Sequence, residues 1–114
     1  MKNKSNLKKH MQLLEISKQI FYFKKISPIE DINLFQIEIN KNLSELCIKQ
    51  HKFLFCKNEI KYLTNSSSSQ IDYLIDKHEI SISQYNHKKI ITLPNFLIYF
   101  AIPAILNHHE LPPS

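Results

Sequence analysis

The residues best suited to chemistry in this sequence are two cysteines and six histidines. Cys47 and His51 lie four positions apart, so a helix would set thiol and imidazole on one face, and Cys56 follows five positions later. Such borderline-soft donors suit zinc or copper. A continuing helix, however, turns Cys56 off that face, and no fourth ligand has a defined place. The expectation is a small buried cysteine beside a half-exposed histidine, with no metal. His108, His109 and Glu110 form a second polar cluster, and His78 and Glu79 a third. Neither has the HExxH spacing of a helical zinc site, and the first reads as a solvated tail. Asp72 and Asp76, also four apart, offer too few oxygens for a cation and read as the exposed face of a short helix. Ser66 to Ser69 read as loop rather than nucleophiles. No hydroxyl, imidazole and carboxylate set has diagnostic spacing. No catalytic residue, cofactor or metal ligand is assigned, no small-molecule substrate is predicted, and the chain is read as a non-enzyme.

Charge offers a different chemistry. The net charge is +5, and all 15 basic residues are lysine. Lys2, Lys4, Lys8 and Lys9 crowd the start of the chain, with Phe21, Tyr22 and Phe23 following. Lysines with nearby rings suit RNA or another anionic surface, the lysines meeting phosphate and the rings stacking on bases. Without arginine, two-pronged contacts to guanine or phosphate are missing, which argues against sequence-specific DNA reading. Glycine is absent too, and with it the usual form of every phosphate-cradling loop and of the nucleophile elbow. Turns and helix ends must use another residue that tolerates the left-handed region, and asparagine is the expected one. Valine and tryptophan are also missing. The absent residues have G-rich codons and the abundant ones mostly A/T-rich codons. That pattern points to an AT-rich genome: an organelle, endosymbiont, phage, virus or mobile element.

The elements that would position these residues can be read from periodicity. Residues 6–25 form an expected helix with a wide apolar surface. Leu7, Met11, Leu14 and Phe21 lie on one side, and Leu13, Ile16, Ile20 and Phe23 broaden it, which suggests burial against more than one neighbour. Ser27-Pro28-Ile29-Glu30 has the form of a helix start with a capping box. A long central helix over roughly residues 28–56 follows, with the stripe Ile32, Phe35, Ile39, Leu43, Leu46, Gln50 and Phe53. Leu34, Ile37 and Ile48 lie off that stripe, so a second covered face is expected. The end of this span, FLFC at 53–56, reads equally as a short buried strand. Residues 65–70 are an internal loop. Ser69 caps a short helix with Asp72 as its capping-box partner. Alternation around Ile80 and Ile82, a four-residue turn at Tyr85-Asn86-His87-Lys88, and Ile90 to Leu93 predict a β-hairpin.

Residues 90–106 are an uncharged apolar segment. Eighteen uncharged residues run from Ile90 to Asn107, just after Lys88 and Lys89. That length reaches the threshold for a spanning helix, and the positive-inside rule would then hold the lysine-rich portion in the cytoplasm. Pro94 and Pro103 argue against it. They leave eight residues between them, about 12 Å of helix against a hydrocarbon core of ~30 Å. The preferred expectation is a protein-buried segment, with Pro94 ending the hairpin, Asn95 capping a short helix and Pro103 stopping it. A membrane anchor is the alternative.

Two cysteines are too few for a disulfide scaffold, so a reducing, cytoplasm-like compartment or an organelle interior is expected. Glu15 and Lys18 interrupt any apolar run at the start, which argues against a secretory signal. With 114 residues, the chain suits a single small domain. The fold class is mainly α: a small helical domain with a long central helix and a minor C-terminal β-hairpin. The expected function is a non-catalytic binding or structural accessory protein, such as a small subunit, inhibitor or immunity-type partner. Its partner would be another protein or a larger assembly, met through Phe35, Ile39, Leu43, Phe96, Leu97, Tyr99 and Phe100. Plain core is the competing role for these residues. The alternatives are a membrane-associated protein and an RNA-associated, ribosomal-type subunit using Lys2, Lys4, Lys8 and Lys9.

Overall fold

The chain is mainly helical with a small three-stranded antiparallel sheet. The computed structural model describes residues 2–26 and 29–109, with side chains from residue 7 onward. Helix α1 (Lys2–Lys25) is followed by α2 (Ile32–Lys49), strand β1 (Leu54–Cys56), α3 (Lys57–Thr64) and α4 (Ser68–Lys77). The hairpin β2 (Ser83–Tyr85) and β3 (Lys88–Thr92) leads into α5 (Leu93–Phe96), a π turn (Leu97–Ala101) and α6 (Ile102–His108).

Apolar spacing decides which faces meet. Ile16, Ile20 and Phe23 of α1 are buried, whereas Leu7, Met11 and Phe21 remain exposed. The wide apolar surface of α1 is therefore split, one half in the core and one half outward. Helix α2 buries Phe35, Ile39, Leu43 and Cys47. Leu34, Ile37 and Ile48 are all more than half exposed, so the second covered face expected on α2 is absent. Asp31, not Ser27, caps this helix by accepting from the Leu34 N–H at 3.1 Å. Ser27 and Pro28 lie outside the described residues.

The central helix also ends earlier than expected, at Lys49, and FLFC supplies a strand. His51 adopts φ 56° there, while the Lys52 and His51 N–H groups bond the Cys47 and Ile48 carbonyls. That closure satisfies the last carbonyls of α2 in the manner normally built on glycine. Helix α4 ends the same way. Glu79 takes φ 49°, and Ile80 and Glu79 donate to the Ile75 and Asp76 carbonyls. Asparagine does the expected work after α3, where Asn65 is left-handed. Thus only part of the glycine-replacing role falls to asparagine. The internal loop shrinks to residues 65–67, because Ser67 rather than Ser69 caps α4, accepting from the Gln70 N–H at 3.1 Å.

The sheet order is β1-β3-β2. Tyr85 pairs with Lys88, which leaves a two-residue turn of Asn86 and His87 at φ 51° and 64°. Both positive angles fit the turn type whose twist matches flanking strands. On the other edge of β3, Phe55 pairs with Ile91, and both are buried.

The uncharged segment divides between β3 and a continuous helical run over 93–108. Thr92, not Asn95, is its N-terminal cap residue, and Pro94 sits in the first turn, where no N–H is required. Pro103 does not stop the run. The helix widens just before it, and the Ile102 N–H bonds the Leu97 carbonyl five residues back. A wider turn accommodates a proline that supplies no donor and would crowd the preceding carbonyls. Leu93, Phe96, Leu97, Phe100, Ala101, Ile102 and Ile105 of this run form one contiguous core with the other helices and the inner sheet face. Phe96 stacks on Phe55 with ring centres 4.1 Å apart. Among the described residues, no helix is long and apolar enough to cross a membrane.

Candidate functional site: a lysine-rimmed sheet face

Strand alternation creates two unlike sheet faces. Phe55 and Ile91 point into the core. Leu54, Cys56, Ile90, Tyr85 and Lys88 line a cleft of about 260 Å³ on the other side, together with Lys9 of α1 and Lys52 from the α2–β1 connection. A second cleft of about 380 Å³ adjoins it, lined by Lys8, Lys9, Gln12, His51, Lys52, Phe53 and Leu54. Lys9, Lys52 and Leu54 belong to both.

Glu59 anchors the floor. It occupies the third position of α3 and is only 6% exposed. Its Oε1 accepts from the Cys56 N–H at 2.9 Å, which ties the end of β1 to the start of α3. Its Oε2 accepts from Lys52 Nζ at 2.8 Å, with Lys9 Nζ at 3.4 Å. Burial pushes the Glu59 carboxyl up. The Lys52 and Cys56 hydrogen bonds and the charges of Lys52 and Lys9 outweigh that, and hold it below its ordinary value. Lys52 Nζ also lies 5.1 Å from the centre of the Phe55 ring. Gln12 of α1 donates its side-chain amide to the Gln50 carbonyl, so α1 is pinned across the α2–β1 connection.

Asp72 serves a neighbouring cleft lined by Cys56, Lys57, Asn58, His87, Lys88 and Lys89. It accepts from Lys57 Nζ at 2.7 Å and Lys89 Nζ at 3.4 Å. The Lys57 hydrogen bond, with the Lys57 charge and Lys89 added, draws its carboxyl below the ordinary value. Asp72 is thus an ion-pair hub rather than a capping-box partner.

The candidate residues read from the sequence fare unequally. Phe35, Ile39, Leu43, Phe96, Leu97 and Phe100 lie in the chain's own core, and Tyr99 is half-buried and stacked on His78. The chain's own helices cover the faces of the six core residues, which gives those six the core role that competed with an interface. Lys8 and Lys9 do reach a shared surface. The side chains of Lys2 and Lys4 lie outside the described residues. Phe23 is fully buried, and Phe21 and Tyr22 sit 13 or so helical positions from Lys8 and Lys9, about 20 Å along α1. The rings beside the lysines are instead Phe53 and Tyr85. Tyr85 could have been found from its place at a hairpin end. Phe53 was hidden by its fit to the α2 stripe.

Cys47 and His51 do not form a pair. Cys47 is fully buried, and burial pushes its thiol up to about 11 despite the nearby Lys52 charge, while His51 lies beyond the helix end. Among the described residues, no three His, Cys, Asp or Glu side chains converge as a metal-binding group. His109 packs edge-on against Phe35, and its Nε2 lies 2.7 Å from the Phe23 carbonyl near the end of α1. Glu110, the third member of that cluster, lies outside the described residues. No family model, curated protein or solved structure matches the chain.

Proposed function

We propose that this chain is a non-catalytic binding protein that holds an anionic partner on the outer face of its sheet. The observation that carries the reading is the convergence of Lys8, Lys9, Lys52 and Lys88 on two adjoining clefts whose described lining contains a single carboxylate, Glu59. That carboxylate is already engaged by Lys52 and Lys9. Lys8 and Lys88 are exposed and have no carboxylate partner among the described residues, so their charge faces outward, where it attracts anions and speeds their encounter. Six of the seven residues first expected to meet a protein partner are buried in the core and Tyr99 is half-buried, which favours the lysine face as the surface.

Heparin affinity tests the reading. The pair Lys9→Glu and Lys88→Glu is compared with Lys41→Glu and Lys77→Glu, which changes the net charge equally on α2 and α4. The first pair should elute at distinctly lower salt than the second. Equal elution of the two would reject the sheet face as the anion site.

A further inference from the structure

The anionic partner can be named more closely, on the strength of the preceding reading. We propose that the outer sheet face binds single-stranded nucleic acid. Each cleft carries one exposed phenylalanine or tyrosine ring: Phe53, 47% exposed, in one and Tyr85, 70% exposed, in the other. Lys9 and Lys52 lie on the wall that the two clefts share. Exposed Lys8 borders the cleft of Phe53 and exposed Lys88 the cleft of Tyr85, so each ring has a lysine on the same cleft. A nucleic-acid strand presents a base beside each phosphate.

Neither ring is engaged by another ring or by a lysine among the described residues, whereas Phe21, Tyr73 and Phe55 each have a lysine over them. Phe53 and Tyr85 therefore keep free faces for stacking. Leu54 and Ile90 supply an apolar floor between the strands. An acidic peptide would use the lysines but leave both ring faces idle. A duplex would hide its base faces within its own stack and offer only groove edges, which lysine without arginine reads poorly. A single strand uses the rings and the lysines together, with little sequence preference, because every base has a stacking face.

Four lysines against one carboxylate leave a surplus of three charges on these two clefts. Neutralising about three phosphates predicts that affinity falls about twentyfold between roughly 50 and 200 mM salt.

The test is fluorescence polarisation with labelled oligo(dT) and oligo(U) of about 12 nucleotides, a duplex of the same length and a heparin fragment. Wild-type chain is compared with Tyr85→Ala, Phe53→Ala and Lys9→Glu. Both rings are exposed, so the alanine variants should melt like the wild type, and circular dichroism checks that. The expected result is single-strand binding above duplex binding, with each ring removal weakening it about tenfold. Heparin binding should be unchanged by ring removal and lost in Lys9→Glu. Single-strand affinity indifferent to both ring removals would overturn the proposal, as would a preference for the duplex. Heparin binding without oligonucleotide binding would overturn it while leaving the anionic site standing. Binding of neither would remove both.

Discussion

The helical run 93–108 and the outer face of the sheet meet at Thr92, which ends β3 and caps α5. Beyond that residue the chain holds no formal charge up to Asn107, and seven of its side chains are in the core. Before it, Lys88 and Tyr85 stand exposed across a hairpin from each other. The segment that looked most in need of a membrane or a partner is covered by this chain's own helices. The polar hairpin beside it leaves a lysine-rimmed face uncovered. Apolar character alone therefore locates the scaffold here, and the surplus of charge around exposed rings locates the site.

The sharpest way to break this division is to remove a ring from each region. Phe96→Ala deletes a fully buried ring stacked on Phe55, and should cost about 3–5 kcal/mol in chemical denaturation. Tyr85→Ala should shift stability by under about 0.5 kcal/mol. Comparable losses would mean that the exposed face is structural after all. Next in size is Glu59→Gln, which leaves Lys52 without its anion and should cost roughly 2 kcal/mol.

The acid limb of stability sharpens the same point. Glu59 titrates below its ordinary 4.5 in the fold, so its ion pairs stabilise above that pH. Their contribution is lost as pH falls through the lowered value. Glu59→Gln should flatten that part of a stability-against-pH curve, and an unchanged slope would contradict the sign. Smaller still are gains at strained positions. His87→Gly and Glu79→Gly should each stabilise by about 1 kcal/mol, because both residues sit at positive φ. A loss at either position would show that its side chain does work beyond the turn. Finally, thiol labelling of the native chain should modify half-buried Cys56 well before Cys47, which burial keeps protonated.

Much of the architecture is visible in the amino-acid order, and the exceptions have physical causes. The 3-and-4 spacing of Phe35, Ile39 and Leu43 identifies the buried stripe of α2, since periodicity reports a face directly. The end of that helix is hidden, because Phe53 fits the stripe while the left-handed cap at His51 uses a residue type that carries no stop signal. Pro103 reads as a terminator, and the π turn that absorbs it depends on backbone geometry over five residues. Lys9 is legible as a basic residue on a helix. Its meeting with Lys52, Lys88 and Tyr85 arises only when α1 packs against α2 and α3, which no local pattern encodes.

The most direct measurement is an amide NMR titration of the isotope-labelled chain with a heparin fragment. The shifts should cluster at Lys9, Lys52, Leu54, Tyr85 and Lys88, with residues 93–108 unmoved. Shifts confined to the outer apolar residues of α2, Leu34, Ile37 and Ile48, or spread evenly over the surface lysines, would contradict the division between an internal C-terminal scaffold and a sheet-face site.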